Sequence, residues 1–348
     1  MSDKYVAYVG SYTHEDGKGI HIFDMDVENG RIKERKEIKL GNPSYITLSH
    51  NGLYLYSICD NGVASYKILE DGDLEPINVH TIRGMRGCHI TLNKQDTFLI
   101  VSGYYDGKIT VLRINEDGSV GDIVEEVFHK GIGSVAERNF RPHISCAEFT
   151  PDNELLCVCD LGIDQIKVYE FNHRTGKLKL YEIIRTQLDS APRQITFSPD
   201  GHFAYVVCEL KNYINVYSYN PSSENERFEF IQNIFTVRKD HKSNSAASHF
   251  IFSCDGNNCL CSNAGDNTVT IYSIDKETGF LCTLSSLPIS GDYPKFINIF
   301  PDNRHILSMN NESNTITIFT IHFDKGLIVM NGPEIKIAKP NNMVIKKL

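Results

Sequence analysis

Ten cysteines and thirteen histidines are the residues of this 348-residue chain best suited to metal, redox or nucleophilic chemistry. Their spacing fits few of those uses. Cys157 and Cys159, and Cys259 and Cys261, are C-x-C pairs inside apolar runs. A period of two puts each pair on one face of a strand, where free cysteine acts as a small hydrophobe. No C-x-x-C occurs, nor a dense His/Asp cluster, so neither a redox motif nor a metal site is expected. His-Glu-x-x-His, a Walker loop and Gly-x-Ser-x-Gly are absent as well, and Gly103-Tyr-Tyr-Asp-Gly107 reads as a hairpin turn rather than a phosphate loop. No cofactor is expected. Cysteines without a disulfide-framework pattern fit a reduced, cytoplasmic setting.

Composition narrows the partners. Apolar residues make up 41%, charged residues 23%, and the formal charge is −9. That balance is ordinary for a globular chain. It argues against a nucleic-acid partner, which needs a basic face to displace counterions. A few focused cations can still bind a small anion. No apolar stretch reaches membrane-spanning length, and none follows Met1-Ser2-Asp3-Lys4, so no membrane association is expected. Oligomeric state is not legible.

The elements that would position any site come as a repeat. Six segments run from a short apolar strand into a polar turn: Asn42–Gly52, Gly87–Asp96, Pro142–Asn153, Pro192–Gly201, Ala247–Gly256 and Pro294–Asn303. A seventh, Pro340–Leu348, has the strand alone. Their starts lie roughly 45 to 55 residues apart, the period of propeller blades. Asp and Asn of the turns bond their own backbone, and Gly supplies positive φ. A hairpin follows six anchors, as in Phe203–Val207 with Ile214–Tyr219, Cys259–Ser262 with Thr268–Ile274, and His305–Met309 with Thr315–Ile321. Turns such as Asp71-Gly72-Asp73-Leu74, Thr175-Gly176-Lys177-Leu178 and Thr278-Gly279-Phe280-Leu281 then introduce a fourth strand.

The first hairpin, Tyr5–Tyr12 with Gly19–Met25, has no anchor before it, and the last anchor has no hairpin after it. Joined, they make one blade. The expected architecture is all-β: a seven-bladed β-propeller of four antiparallel strands per blade, residues 1–348 forming one domain. The polar run 222–227 is expected at a loop tip inside a blade. The rival is an open sandwich or two all-β domains, but no linker or composition shift divides the chain. Absence of tryptophan excludes a Trp-Asp repeat signature.

The loop motifs carry a resemblance. Tyr8-Val-Gly-Ser-Tyr-Thr13, Asn42-Pro-Ser-Tyr45, Pro142-His143, Phe149-Thr-Pro-Asp152, Asp160-Leu-Gly-x-Asp164, Ala191-Pro-Arg193, Cys208-Glu-Leu210 and Ser262-Asn-x-Gly265 occur in order. The chain thereby resembles the lactonase family of seven-bladed propellers. That family includes bacterial propeller-type 6-phosphogluconolactonases and fungal 3-carboxy-cis,cis-muconate lactonizing enzymes. The resemblance implies that His143 stands for the first histidine of a Pro-His-x-His segment, with Ser145 in place of the second. Ala191-Pro192-Arg193-Gln194 keeps the arginine of Gly-Pro-Arg-His but not its histidine. Glu209 is kept from Asn-Glu-Leu. Ala264 replaces the arginine of Ser-Asn-Arg-Gly, and Lys295 replaces that of Pro-Arg-Phe, keeping charge without the planar fork.

Lactone hydrolysis needs a base for water, donors for an oxyanion, and groups for an acidic substrate. The resemblance gives His143 as the base, since imidazole titrates near neutral pH. Glu209 orients or assists it, and Arg193 holds a carboxylate, phosphate or oxyanion. His89 and His249, read as equivalent to His143 in their own anchors, join Lys295, Asn263, Tyr104 and Asn310 as candidate substrate-binding residues. Each also has a bland reading: a histidine bonded to a loop carbonyl, an Arg193–Glu209 ion pair, exposed hairpin tyrosines. Asp160 and Asp164 read as turn residues. The expected partner is an anionic sugar lactone opened at one mouth of a central channel. Alternatives are a noncatalytic propeller binding a small acid or a protein, favoured by Ala264, and a muconate-type lactonizing cycloisomerase.

Overall fold

The computed structural model describes residues 3–14, 17–134, 140–223, 226–238, 241 and 244–348. Met1, Ser2 and, within the 222–227 run, Glu224 and Asn225 lie outside the described residues. The rest is almost wholly β, in seven antiparallel sheets. In chain order the first sheet holds Ile46–Leu48, Tyr54–Cys59, Gly62–Ile68 and Leu74–Thr81. The second holds His89–Leu92, Phe98–Gly103, Lys108–Ile114 and Val120–Phe128. The third holds Ile144–Phe149, Leu155–Asp160, Gln165–Phe171 and Leu178–Arg185. The fourth holds Pro192–Phe197, Phe203–Cys208, Tyr213–Tyr219 and Phe228–Phe235. The fifth holds Ala246–Phe252, Asn258–Ala264, Thr268–Ile274 and Leu281–Pro288. The sixth holds Pro294–Ile299, His305–Asn310, Thr315–His322 and Leu327–Met330, with Ile335–Lys336 also paired to its third strand. In the seventh, Pro340–Lys347 pairs with Tyr5–Ser11, followed by Gly19–Asp26 and Arg31–Lys39. The last anchor and first hairpin therefore do share a sheet.

The chain groups into two compact units. One comprises Met1–Met25, Ile32–Ala191 and Asn341–Leu348, hence the first three sheets and nearly all of the seventh. The other comprises Asp26–Arg31 and Pro192–Pro340, hence the fourth to sixth.

Burial explains the sequence pattern within each. Second strands such as Leu155–Asp160 and Phe203–Cys208 are buried at every position. A strand covered on both faces needs a continuous apolar run, not alternation. Fourth strands are sheet edges, and Arg31–Lys39 is charged along most of its length, which blocks edge-to-edge pairing. Core clusters each draw on two successive sheets. Tyr205, Phe250, Cys259 and Tyr272 belong to one, Phe98, Leu156, Val158 and Tyr169 to another. Both C-x-C pairs are fully buried as free thiols. Burial pushes Cys261 up to about 12 and Cys157 and Cys259 well above their ordinary value, so these thiols are protonated and inert.

A tyrosine brace repeats. Tyr8, Tyr56 and Tyr205 each donate their hydroxyl to a glycine carbonyl, Gly72 at 2.8 Å, Gly118 at 3.1 Å and Gly279 at 2.8 Å. Gly72 and Gly279 are the turns read from the sequence.

Candidate functional site

Arg193 and Lys295 lie on the first strands of their sheets, and those strands carry a defect that sequence spacing hides. Pairing in the third to sixth sheets skips one residue: Ser145, Arg193, Ser248 and Lys295. Such bulges re-aim a side chain out of the pleat. In the second unit the bulged side chains reach along the row: Arg193 Nε donates to the Ser248 carbonyl at 2.9 Å, and Ser248 Oγ to that of Lys295 at 2.9 Å.

This register corrects one expectation. His89 and His249 are not equivalent to His143. His249 pairs with Ser262 and His89 with Ser102, the level at which Cys146 pairs with Cys159. His143 lies three residues earlier, before its strand begins. The bulge does not keep a fixed distance from the start of its anchor: Ser145 lies three residues after Pro142, and Ser248 one residue after Ala247.

In the first unit, His143 is buried and held on two sides. Its backbone N–H donates to Asp160 Oδ1 at 2.8 Å. Its Nδ1 lies 2.7 Å from the Tyr104 carbonyl and its ring stacks on that of Tyr104 at 4.5 Å. A carbonyl only accepts, so Nδ1 carries the proton and Nε2 keeps a lone pair. Nε2 has no hydrogen bond among the described residues. This is the tautomer a general base requires. Asp160 bonds its own turn as expected, but it does more. It ends a strand, is fully buried, and binds His129 Nδ1 at 2.7 Å through Oδ2. Gly162 N–H also donates to it at 3.2 Å, and a Cβ at Gly162 would strike the Arg141 carbonyl at 1.8 Å. Asp164 does cap a turn, accepting the N–H of Asp189 and of Ala191, each at 2.8 Å. His89 lies beside Tyr45 and Cys146, its Nδ1 accepting the Ala147 N–H at 3.5 Å. Burial pushes it down to about 3, so it brings no positive charge to an anion.

In the second unit, Arg193 Nη1 meets Glu209 Oε2 at 2.5 Å, with Glu209 almost fully buried. The pair fixes the guanidinium plane and keeps a buried carboxylate satisfied. Lys295 follows two bulge positions on. His249 stacks on Phe296 with ring centres 3.7 Å apart. Asn263 and Asn310 are fully buried and bond inward. Asn263 Nδ2 donates to the Thr236 carbonyl at 2.7 Å, and Asn310 Nδ2 to that of Ser290 at 3.0 Å. These amides pin the segments that lead into the first strands. Ala264 is 1% exposed. No group of three or more His, Cys, Asp or Glu side chains among the described residues has metal-holding geometry. No helix there is long and apolar enough to cross a membrane.

His129 and the buried state of Asp160 escaped the sequence reading. The one usable signal was a histidine closing an edge strand, Val120–Phe128, at its border with a loop.

Known proteins resemble the chain along nearly its whole length. The chain is 30% identical over 343 residues to the 6-phosphogluconolactonase of Bacillus subtilis (strain 168), covering 97% of each. It is 31% identical over 333 residues to that of Formosa agariphila, covering 92% of this chain and 93% of the other. Among solved structures, a Bacteroides fragilis protein superposes with TM-score 0.91 at 26% identity, covering 99% and 98% of the two chains. The periplasmic gluconolactonase PpgL of Pseudomonas aeruginosa shares the fold, with TM-score 0.92 at 23% identity over 98% and 99%. Residues 6–345 match the family described as Lactonase, 7-bladed beta-propeller, and the chain belongs to that family.

Proposed function

We propose that this protein is a lactonase that opens a sugar lactone with water, 6-phosphoglucono-1,5-lactone or a close relative being the substrate. The supporting observation is 30–31% identity along nearly the whole chain to enzymes named 6-phosphogluconolactonase; His143, Arg193 and Glu209 take their roles from the family resemblance of the motifs around them. In this reading His143 Nε2 takes a proton from water, and the water oxygen adds to the lactone carbonyl. Arg193 stabilises the developing oxyanion or holds the acidic group of the substrate, and Glu209 fixes its orientation. Collapse of the adduct breaks the ring C–O bond, the ring oxygen takes a proton, and the free acid leaves. Lys295 and Tyr104 are proposed to contact substrate. His89, His249, Asn263 and Asn310 shape the surroundings. Free thiols throughout the described chain support a reduced, cytoplasmic setting.

A panel of phosphorylated and plain sugar lactones tests the reading. The expected result is loss of at least one lactone faster than its spontaneous rate, with the gain abolished in His143→Ala. No acceleration across the panel overturns it. Buried Ala264 favours one second reading, a propeller that binds a small acid without turning it over. That reading expects a thermal shift with phosphosugars or dicarboxylates and no catalysis.

A further inference from the structure

The proton transfer assigned to His143 depends on where that ring is held, and the structure holds it through a chain of buried groups. Asp160 is the hub. An ionised carboxylate only accepts hydrogen bonds, so each of its partners must donate. Oδ1 takes the N–H of His143 at 2.8 Å and of Gly162 at 3.2 Å. Oδ2 takes His129 Nδ1–H at 2.7 Å. With its proton on Nδ1, His129 presents Nε2 as an acceptor, and the Tyr169 hydroxyl lies 3.0 Å from it. The side chains of His129 and Asp160 are completely shielded from solvent. Burial lowers the affinity of His129 for a second proton despite the neighbouring carboxylate, which keeps Nε2 available to Tyr169. Lys167 is a further charged group that senses both His129 and Asp160.

The two imidazoles come from different places. His129 follows the edge strand of the second sheet, and His143 precedes the first strand of the third. Tyr104, which takes the His143 Nδ1 proton contact, follows the second strand of the second sheet. The second sheet thus grips His143 twice, directly through the Tyr104 carbonyl and indirectly through His129 and Asp160.

We propose that His129 is a positioning residue for His143, acting through Asp160 and itself oriented by Tyr169. The inference rests on the lactonase reading for the reaction it serves. Its geometric content is separate: His129 keeps Asp160 in place, and Asp160 sets the backbone from which the His143 ring reaches Tyr104. Without His129 the buried carboxylate loses its side-chain donor, a loss that buried acceptors tolerate poorly.

The test joins kinetics to nitrogen NMR of the imidazoles. His129→Leu should lower kcat roughly tenfold or more with KM nearly unchanged, the scale of a lost positioning contact. His129→Asn, whose amide N–H falls where Nδ1 does and faces Asp160, should restore most of it. Tyr169→Phe, which removes one hydroxyl and preserves the packing, should lower kcat by a smaller factor, again without moving KM. In the wild-type protein the His143 signals, assigned by their absence in His143→Ala, should show protonated Nδ1 and bare Nε2. In Tyr169→Phe and His129→Leu this tautomer should give way to a mixture. If His143 carries its proton on Nε2 in the wild type, or if the tautomer and kcat are indifferent to both variants, the proposal is wrong. If the wild type opens no lactone, the lactonase reading fails, and the NMR result alone decides the positioning claim.

Discussion

Glu148 and His89 show what burial does to single groups in this fold. Glu148 pairs with Cys157 in the third sheet, and desolvation pushes its carboxyl up to about 7 from an ordinary 4.5. His89 is pushed down to about 3 from 6.5 by the same cause. Burial disfavours the charged form of either group. The consequences for stability have opposite signs. Glu148 contributes most below pH 4.5, and that contribution fades as pH rises through about 7. His89 contributes above pH 6.5 and loses its contribution as pH falls toward 3. Between 4.5 and 6.5 the two slopes oppose one another. Glu148→Gln removes one of them, so its thermal midpoint should gain on the wild type steadily as pH rises from 4.5 to 7.5. A difference that stays flat across that range would mean that the carboxyl is solvated.

At the scale of elements, the tyrosine brace and the bulge do different work. Gly279 has φ +74°, and a Cβ there would lie 2.3 Å from the Phe203 ring. Gly279→Ala should therefore cost roughly 2 kcal/mol or more through left-handed strain and the clash, readable as a lowered denaturant midpoint. An unchanged midpoint would show that the turn relaxes freely. The Thr278-Gly279 turn was legible in the sequence because its residue types dictate its backbone. So were the anchors and hairpins, since continuous apolar runs bounded by Asn, Asp and Gly allow few other structures. The bulges at Ser145, Arg193, Ser248 and Lys295 were not legible. No residue type marks them, and Ser, Arg and Lys share only their position. The same blind spot misplaced His89 and His249. Asp160 bonds its turn as read, but its second role was hidden. Its partner His129 is 31 residues away, and only the folded sheet order joins them. Arg193, Glu209 and His143 came from family resemblance, not from spacing.

At the scale of the whole molecule, the seventh sheet joins the two ends of the chain. Asn342 accepts the Ile46 N–H at 3.0 Å and donates to the Ile46 carbonyl at 2.9 Å, all within the first unit. Asn342→Ala leaves both buried groups unpaired and should cost about 2–3 kcal/mol, more than a surface asparagine on an edge strand. A loss below about 0.5 kcal/mol, the range of ordinary surface changes, would show that the seam does not depend on it. We propose that residues 1–348 unfold as one domain, closed by this sheet. Calorimetry should then give a single transition with equal calorimetric and van't Hoff enthalpies. Two separated transitions would show that the two units melt independently.

Membership of the lactonase family leaves one central claim to be tested, that this member turns a lactone over despite alanine at position 264. The most direct measurement is the first-order disappearance of freshly prepared 6-phosphoglucono-1,5-lactone at neutral pH, with wild type, with Glu209→Gln and without protein. The account predicts a clear excess of the wild-type rate over the spontaneous one, with the variant close to the spontaneous rate. A wild-type rate equal to the spontaneous one, or a Glu209→Gln rate equal to the wild type, would contradict it.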